Sequence, residues 1–380
     1  MFKAKSLKPS CSLISLVIFP VISLVLLAGC NQERTAPQTG AVELEYAKGF
    51  QIENVAGDCQ KVTDGQGRAL LLVPQDQQAP AELQNLPVIH TPVKRVVLTS
   101  TTQAALIRPL GELAGIIGVN VEKEQWYIDE IKAGIEKGDI QLIGSGMGPL
   151  DYDKIVALKP DIVFLSGGSS DDAQVLKKLE ELKIPVAVDK SWLENDPLGR
   201  YEWTKFIGAF FGKGQEAGNV FTDVVKNCRA VTAKAAEAKD KTKVFWGMTY
   251  QGKAYVPGAD SYVAKMIEMA GGDYLFKDNK GTGSSTITLE EYYARAREAD
   301  VFISDSMPNY GIDSIAKLTE QEQVLADLPT IKAGKVWCYQ PWYYQSLDKT
   351  DEIIMDLAAI FHPDLFAGTQ LKQFMKLPQS

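Results

Sequence analysis

Aromatic side chains are the residues of this sequence best suited to chemistry with an organic molecule. Five of the six tryptophans fall in predicted loops or at strand ends, and only Trp203 lies inside a predicted helix. Rings in such positions can stack on flat or bulky ligands and supply a large contact area. Together with Met147 and Arg200, the residues that we predict to bind a ligand are Trp126, Tyr127, Trp192, Trp246, Tyr250, Tyr310, Trp342 and Tyr343.

Arg200 is the candidate suited to a charged group, because a guanidinium binds carboxylates well. The loop before it contains Glu194 and Asp196, so pairing within the loop is the alternative, and it is the interpretation we favour. Met147 belongs to the Gly-rich turn at 144–148. No Lys-Ser/Thr follows that turn, as it would in a phosphate-binding loop, so we interpret it as a tight turn beside the ligand.

The few histidines exclude several other chemistries. The chain contains only His90 and His362, one in a proline-rich segment and one before Pro363, and we interpret both as surface residues. A zinc or manganese site needs a convergent cluster of His and carboxylates, and Ser-His-Asp catalysis needs a well-placed histidine. We therefore predict no catalytic residue, no metal site and no cofactor. Haem as a ligand stays open, because tyrosine can ligate its iron.

The first thirty residues have the pattern of an export signal. Three lysines precede a nearly unbroken aliphatic run at 13–27, and Leu27-Ala28-Gly29 leads to Cys30. That run is about 15 residues long, whereas a membrane-spanning helix needs roughly 20. Cys30 resembles the lipobox cysteine of bacterial lipoproteins, which implies cleavage before it and attachment of diacylglycerol and an N-acyl chain. Residues 1–29 are thus predicted to be a signal peptide, with the protein anchored by lipid in the cell envelope, outside the cytoplasmic membrane.

The mature chain would be acidic and would contain three cysteines besides Cys30. Removal of 1–29 takes away three lysines, so the formal charge changes from −8 to −11 on 351 residues. Without a block of Lys or Arg, this charge argues against nucleic acid and anionic lipid as partners. Cys59, Cys228 and Cys338 match no metal motif, so we interpret them as buried thiols, with one disulfide and one free thiol as the alternative.

Strand and helix patterns alternate beyond Lys94 and predict an α/β fold. Val96-Val97-Leu98 and the Ser100 N-cap begin a βαβ order that recurs in the second half of the chain, where corresponding motifs lie 148 and 139 residues later. Between the two halves, an apolar period of 3.6 residues predicts one long helix. The expected fold is two lobes, each a mainly parallel sheet flanked by helices, joined by that helix and preceded by a small β-rich extension. The predicted segments are a tether at 30–41, a β-rich extension at 42–93 that ends in an extended Pro-rich connector without helix, a lobe at 94–213, the interlobe helix at 214–239 and a lobe at 240–380.

A series of short motifs follows one order along the two predicted lobes. They are Arg95-Val96-Val97-Leu98, Ser100-Thr101-Thr102, Leu110-Gly111 before Ile117-Gly118-Val119, Leu158-Lys159-Pro160-Asp161-Ile162-Val163, Ala270-Gly271-Gly272 and Ala299-Asp300-Val301. The series resembles the siderophore, haem and cobalamin type of periplasmic substrate-binding protein, the extracytoplasmic receptor of an ABC importer. The resemblance runs from about Lys94 to Phe366 and implies a ligand between the lobes and an ABC permease that docks on the lobe tips.

The resemblance leaves the ligand open. We expect a monomer that binds a small-molecule metal chelate, an iron siderophore or haem, with a corrinoid such as cobalamin as the alternative. An enzyme of the nitrogenase-like or metal-chelatase kind would share the two-lobed arrangement, but it would need cluster cysteines or a catalytic histidine. A third alternative is a surface lipoprotein that binds or senses its ligand without a transporter.

Permease docking is where the sequence departs from this family. The resemblance implies a Glu on the first helix of each lobe, six residues before the glycine that ends the helix. Those two positions hold Ala105 and Lys265. Glu112 and Glu268 lie nearby, and three residues along a helix put Glu268 on roughly the face of Lys265. We predict that docking uses Glu112 and Glu268 or no carboxylate pair.

We expect the Cys30→Ser variant to accumulate as uncleaved precursor or in the soluble fraction, because the thioether to the lipid needs the Cys30 thiol. Metabolic labelling with a radioactive fatty acid measures this directly. Cys59→Ser is the matched control, since it removes a thiol outside the leader and should be labelled like the wild type. Normal acylation of Cys30→Ser would refute the lipid assignment.

Overall fold

Short apolar strands and amphipathic helices alternate through most of the chain, as the sequence predicts. The computed structural model describes residues 40–146, 148–167 and 172–380. The leader, Cys30 and Met147 lie outside the described residues, so what the sequence predicts for them stays a prediction. All described residues belong to one unit, Pro37–Ser380.

An N-terminal sheet precedes the first lobe. Its strands are β1 (Gly40–Ala41), β2 (Gln51–Asn54), β3 (Gln60–Thr63), β4 (Ala69–Pro74) and β5 (Val88–Thr91), paired in chain order, with β5 parallel to β4 and the other pairs antiparallel. The prediction of a connector without helix from Pro74 to Pro92 was wrong in one respect, since this segment contains a 3-10 turn at Ala81–Leu83, whereas β5 is extended as predicted. Ile89 of β5 is buried in the main core, and this burial holds a proline-rich segment in the sheet.

A parallel sheet forms the N-terminal lobe, with strands in the spatial order β10-β9-β6-β7-β8. Val96, Val97 and Leu98 are all fully buried, because helices cover both faces of the sheet. Ser100 and Gln103 form a capping box at the first helix, which confirms the predicted N-cap. The elements are β6 (Val96–Leu98), α1 (Thr101–Ile107), β7 (Ile116–Val119), α2 (Asp129–Lys137), β8 (Gln141–Leu142), α3 (Tyr152–Leu158), β9 (Ile162–Ser166), α4 (Asp172–Glu181), β10 (Val186–Asp189) and α5 (Pro197–Phe210).

The interlobe helix α6 (Gly214–Ala235) confirms the long helix that the apolar period predicts. Its 22 residues extend over about 33 Å. The apolar face packs against α5 of the first lobe and against the last helix of the second. Among the described residues, no helix is both long and apolar enough to cross a membrane.

The C-terminal lobe combines parallel and antiparallel strands, in the order β14-β12-β11-β15-β16-β17 with β13 beside β11. The elements are β11 (Lys243–Tyr250), β12 (Lys253–Pro257), α7 (Tyr262–Met269), β13 (Asp273–Tyr274), β14 (Ser284–Ile287), α8 (Leu289–Ala296), β15 (Val301–Ser304), α9 (Ile315–Gln321), α10 (Pro329–Lys332), β16 (Val336–Tyr339), α11 (Thr350–Phe361) and β17 (Phe374–Lys376). β11, β13, β15 and β16 run parallel. Gln251 and Gly252 both have positive φ, which makes the tight hairpin turn between β11 and antiparallel β12.

The cysteines and His362 occupy the interior. Cys59, Cys228 and Cys338 are free and buried, which confirms the interpretation as buried thiols. His90 is exposed on β5, as predicted. The surface role predicted for His362 was wrong, because its ring is buried and its Nε2 lies 3.2 Å from the carbonyl oxygen of Gly271. Gly271 has a φ of +80°, and a Cβ there would lie 2.6 Å from the same Nε2.

Asp356 on α11 is a buried carboxylate that holds the start of β17. Its Oδ2 accepts the backbone N–H groups of Lys372, Gln373 and Phe374 at 2.6 to 3.1 Å. Burial nevertheless raises the pKa of Asp356 to about 6, although these N–H groups oppose the shift. The native state therefore binds the proton more tightly than the unfolded chain does.

Because the folded pKa of Asp356 is raised, its contribution to stability is fully present below about pH 4 and is lost as the pH rises to about 6. Asn at this position keeps one oxygen acceptor and carries no charge. As the pH rises from 4 to 7, we expect the free energy of unfolding of Asp356→Asn to increase by up to about 3 kcal/mol relative to that of the wild type. Urea unfolding at several pH values measures the difference, with the exposed Asp364→Asn as control. A constant difference across this range would contradict the assignment.

Candidate ligand-binding cavity between the lobes

A cavity of about 500 Å³ lies between the two lobes at the carboxyl ends of the N-lobe strands. Ligands of open α/β sheets bind at this edge, because the strand-end loops present their polar groups there. The C-terminal lobe contributes Tyr262 and Tyr344 to the lining of this cavity. The described residues lining the cavity are Thr99, Ser100, Thr102, Asn120, Gly146, Gly148, Leu150, Leu165, Ser166, Gly167, Asp172, Val175, Asp189, Ser191, Trp192, Arg200, Tyr262 and Tyr344.

Two larger cavities of the described residues lie elsewhere. One of about 570 Å³ lies between α6, α11 and the chain near Phe366. Another of about 650 Å³ lies at the amino ends of β11, β15 and β16, where Thr242, Asp300 and Lys335 line it. Neither reaches the carboxyl ends of the strands. The interlobe cavity is therefore the candidate site.

Hydrogen bonds fix the polar wall that the N-lobe strands provide. The Thr99 hydroxyl donates to the carbonyl of Phe164 at 3.3 Å and accepts the backbone N–H of Ser166 at 2.8 Å, which ties the ends of β6 and β9 together. Asn120 donates from Nδ2 to the carbonyl of Gly146 at 2.9 Å. This contact holds the Gly-rich turn at the cavity, as the sequence predicts.

Asp189 and Arg200 are charged residues on the same wall. Asp189, the last residue of β10, is only 2% exposed and accepts the backbone N–H of Ser191 at 2.8 Å. Burial raises the pKa of its carboxyl, while hydrogen bonds to Ser191 and the positive charge of Arg200 act in the opposite direction. Asp189 thus contributes a nearly fully buried carboxyl to the cavity wall, within the electrostatic influence of Arg200.

Arg200 reaches across the cavity to the other lobe. Its guanidinium carbon lies 3.9 Å from the centroid of the Tyr262 ring, a cation–π contact. Its Nε is buried and has no hydrogen-bond partner in the part of the chain that the structure describes. The pairing within the loop that the sequence favours does not form. Glu194 instead accepts N–H groups of Trp203 and of Lys48 and Gly49 in the loop between β1 and β2, and Asp196 caps α5.

A set of polar contacts outside the cavity joins the lobes. Arg108 forms a bidentate ion pair with Asp348, at 2.9 Å from Nε and 2.5 Å from Nη2. Gln345 donates to the carbonyl of Gln125 at 2.7 Å and accepts the N–H of Tyr127 at 2.8 Å. These contacts set the distance between the lobes and so the width of the cavity.

Two tryptophans predicted to bind ligand are core residues. Trp126 and Trp246 are both 0% exposed, and neither lines the cavity. The indole of Trp126 donates to the carbonyl of Val121 at 3.0 Å, and that of Trp246 donates to the hydroxyl of Tyr339 at 3.2 Å. Because each indole N–H has an internal partner, both rings can be buried without a lost hydrogen bond. Their prediction as ligand contacts was wrong.

The remaining aromatic candidates are dispersed. Tyr343 is buried and stacks on Tyr339 with ring centroids 4.1 Å apart, so its assignment to the ligand surface was also wrong. Tyr127 and Trp342 contact each other across the lobes, with centroids 6.1 Å apart and outside the cavity lining. The exposed Tyr250 and Tyr310 do not line the cavity, and Met147 lies outside the described residues, between the lining residues Gly146 and Gly148. Of the ten candidates, the structure brings Trp192 and Arg200 into the cavity among the described residues.

Several lining residues were missed by the sequence prediction. Asp189 is the most prominent, and its position at the end of an apolar strand is a signal that identifies it. Tyr344 lies in a strand-end loop where the neighbouring Trp342 and Tyr343 were chosen instead. Tyr262 follows the N-cap Ser261 of α7 and gives no signal in the sequence, because only the approach of the second lobe brings it to Arg200.

The predicted docking residues lie on the surface. Glu112 follows α1 and is 4.0 Å from the ammonium of Lys213. Glu268 is exposed on α7 and pairs with Lys265 at 2.8 Å. Neither residue lines the cavity. Their role in docking is not tested by this geometry.

This fold and site define a two-lobed substrate-binding protein, and residues 96–341 match the family described as periplasmic binding protein. The chain belongs to this family. The family model describes a periplasmic binding protein, and the neighbouring structures are described in the same terms. The resemblance drawn from the sequence motifs is confirmed.

Relatives and solved structures agree with this assignment. A protein of Methanocaldococcus jannaschii described as an uncharacterized lipoprotein is 36% identical over 325 residues, covering 82% of this chain and 77% of its own. A periplasmic solute binding protein from Veillonella parvula superimposes with a TM-score of 0.59 at 17% identity, covering 82% of this chain and 89% of its own. A periplasmic heme binding protein from Pseudomonas aeruginosa has a TM-score of 0.56 at 19% identity, covering 74% and 95%. At these identities the solved structures show the shared fold.

Proposed function

We propose that this protein is the extracytoplasmic receptor of an ABC importer and that it captures an iron chelate, a siderophore or haem, in the interlobe cavity. The observation that carries the proposal is the contact between Arg200 and Tyr262, which places one guanidinium and one phenol from different lobes in a cavity of about 500 Å³. That volume is in the range of sites for small organic ligands.

The chemistry of the lining suits such a chelate. Arg200 can bind the carboxylates of haem or the anionic groups of a siderophore. Trp192 is 41% exposed, and its indole donates to the carbonyl of Gly167, so the ring is held at the cavity with a free surface. Tyr262 and Tyr344 supply phenols, which can ligate haem iron. The heme-binding Pseudomonas protein of the same fold supports the choice of ligand class.

Lipid attachment at Cys30 completes the proposal. The lipobox pattern supports it, as does the description of the Methanocaldococcus jannaschii relative as a lipoprotein. An acyl anchor would keep the receptor at the membrane that holds the permease. The protein would bind and release its ligand without chemical change, so we propose no enzymatic activity.

We expect haemin or a ferric siderophore to bind the wild-type protein, and Arg200→Ala to weaken that binding roughly 10- to 100-fold, because a charge-assisted hydrogen bond contributes about 1.5–3 kcal/mol. Titration of intrinsic fluorescence with haemin, a ferric catecholate, a ferric hydroxamate and cyanocobalamin measures the affinities. Arg297→Ala removes an exposed guanidinium outside the cavity and is the control. Exclusive binding of cyanocobalamin would replace the iron chelate by a corrinoid, and equal affinities of the two variants would remove Arg200 from the site.

Glu112 and Glu268 are our proposed docking carboxylates. We expect the Glu112→Ala/Glu268→Ala variant to bind ligand normally and to support less uptake in cells that contain the permease, because docking would lose its anionic contacts. Glu216→Ala/Glu320→Ala is the matched control, since both residues are exposed and pair with a Lys three residues away. Full uptake by the Glu112/Glu268 variant would exclude these residues and leave the receptor assignment intact.

A further inference from the structure

The wall of the cavity after β10 depends on a strand at the edge of its sheet. Asp189, the last residue of this strand, lines the cavity, as do Ser191 and Trp192 directly after it. In the spatial order of the N-lobe sheet, β10 has β9 on one side and no strand of the lobe on the other. The outward backbone groups of an edge strand need partners from elsewhere.

The N-terminal sheet supplies those partners through the turn between β3 and β4. Gly65 donates its N–H to the carbonyl of Val188 at 2.9 Å. The carboxylate of Asp64 accepts the N–H of Val188 at 3.1 Å. Arg68 donates from Nη2 to the carbonyl of Val186 at 2.9 Å. Both outward groups of Val188 are therefore satisfied by a segment that lies outside the matched family region at 96–341.

The turn itself is stiff because Asp64 organises it. Its side chain is fully buried and accepts the N–H groups of Gln66 and Arg68 at 2.9 and 3.0 Å. The Arg68 guanidinium lies 2.6 Å from Oδ2. At Gly65 the turn approaches the cavity wall so closely that a Cβ would lie 2.9 Å from the Cβ of Lys190. A glycine is required there for reasons of space.

A second contact holds the far end of the same wall. Glu194 is 6% exposed, and its carboxylate accepts the backbone N–H groups of Lys48 and Gly49 at 2.8 to 3.1 Å. Its Oε1 also accepts the indole N–H of Trp203 at 2.9 Å. The segment 188–194 is thus attached at both ends to loops of the N-terminal sheet, with the exposed ring of Trp192 between the two attachments.

We propose that the N-terminal sheet is a positioning element of the binding site, which holds residues 189–194 in place through Asp64 and Gly65 at one end and through Glu194 at the other. Asp64 and Gly65 act through Val188 and Lys190 and do not touch the ligand. This inference concerns the protein without ligand, and only its affinity measurement relies on the proposed function.

Hydrogen exchange of the ligand-free protein, read by mass spectrometry, tests the proposal. In Asp64→Ala we expect amides of 186–196 to exchange at least about tenfold faster, because opening of this segment no longer breaks the contacts to Asp64. Peptides of α6 and of the C-terminal lobe should be unchanged. Asp64→Asn keeps an oxygen acceptor and should restore part of the protection. Gly65→Ala is the second variant, for use if Asp64→Ala does not fold.

Gln66→Ala is the matched control, because the Gln66 side chain is exposed in the same turn. It should exchange like the wild type.

The variants are then titrated with haemin and with a ferric trihydroxamate, and Asp64→Ala should bind at least about fivefold more weakly than Gln66→Ala. Unchanged exchange in 186–196, or an equal increase in α6, would overturn the proposal. If neither probe binds the wild type, the proposed ligand class fails, while the exchange data still decide the positioning role.

Discussion

The packing of α6 against α5 and α11 is the constraint on which the rest of the structure depends. One buried cluster extends from the N-terminal sheet through both lobes, and α6 contributes Phe221, Val225 and Cys228 to it. Because this helix is stiff and buried along one face, the lobes cannot separate without exposing apolar surface. The interlobe cavity therefore has a defined width, and the contact of Arg200 with Tyr262 follows from that width.

Buried carboxylates that accept backbone N–H groups attach the outer segments to this core. Glu202 on α5 is completely buried and accepts the N–H groups of Glu45, Tyr46 and Ala47 at 2.8 to 2.9 Å. Asp64, Glu194 and Asp356 make the same kind of contact with other segments. A buried charge is costly unless it is hydrogen-bonded, so each carboxylate specifies one position for the strand or loop that it holds. The N-terminal sheet is placed on the first lobe in this way.

Much of the fold could be predicted because it depends on local periodicity. The apolar strand at Val96–Leu98, the N-cap Ser100 and the 3.6-residue period of α6 are each encoded within a few turns of chain. The site was predicted less well. Trp126 and Trp246 were chosen because a large ring near a strand end suits a ligand, but the same ring also suits a core when its indole N–H finds a carbonyl or hydroxyl partner.

By itself, the sequence determined the class of fold, the family and the acidic character, because these properties depend on composition, on periodicity and on motif order. Only the tertiary structure decided which strand-end residues share a cavity. Tyr262 is far from Asp189 and Arg200 in the chain, and it meets Arg200 because the two lobes are fixed against one helix. The tertiary structure also decided which groups bind Glu194 and Asp64, since no sequence pattern shows which backbone N–H groups a carboxylate will accept.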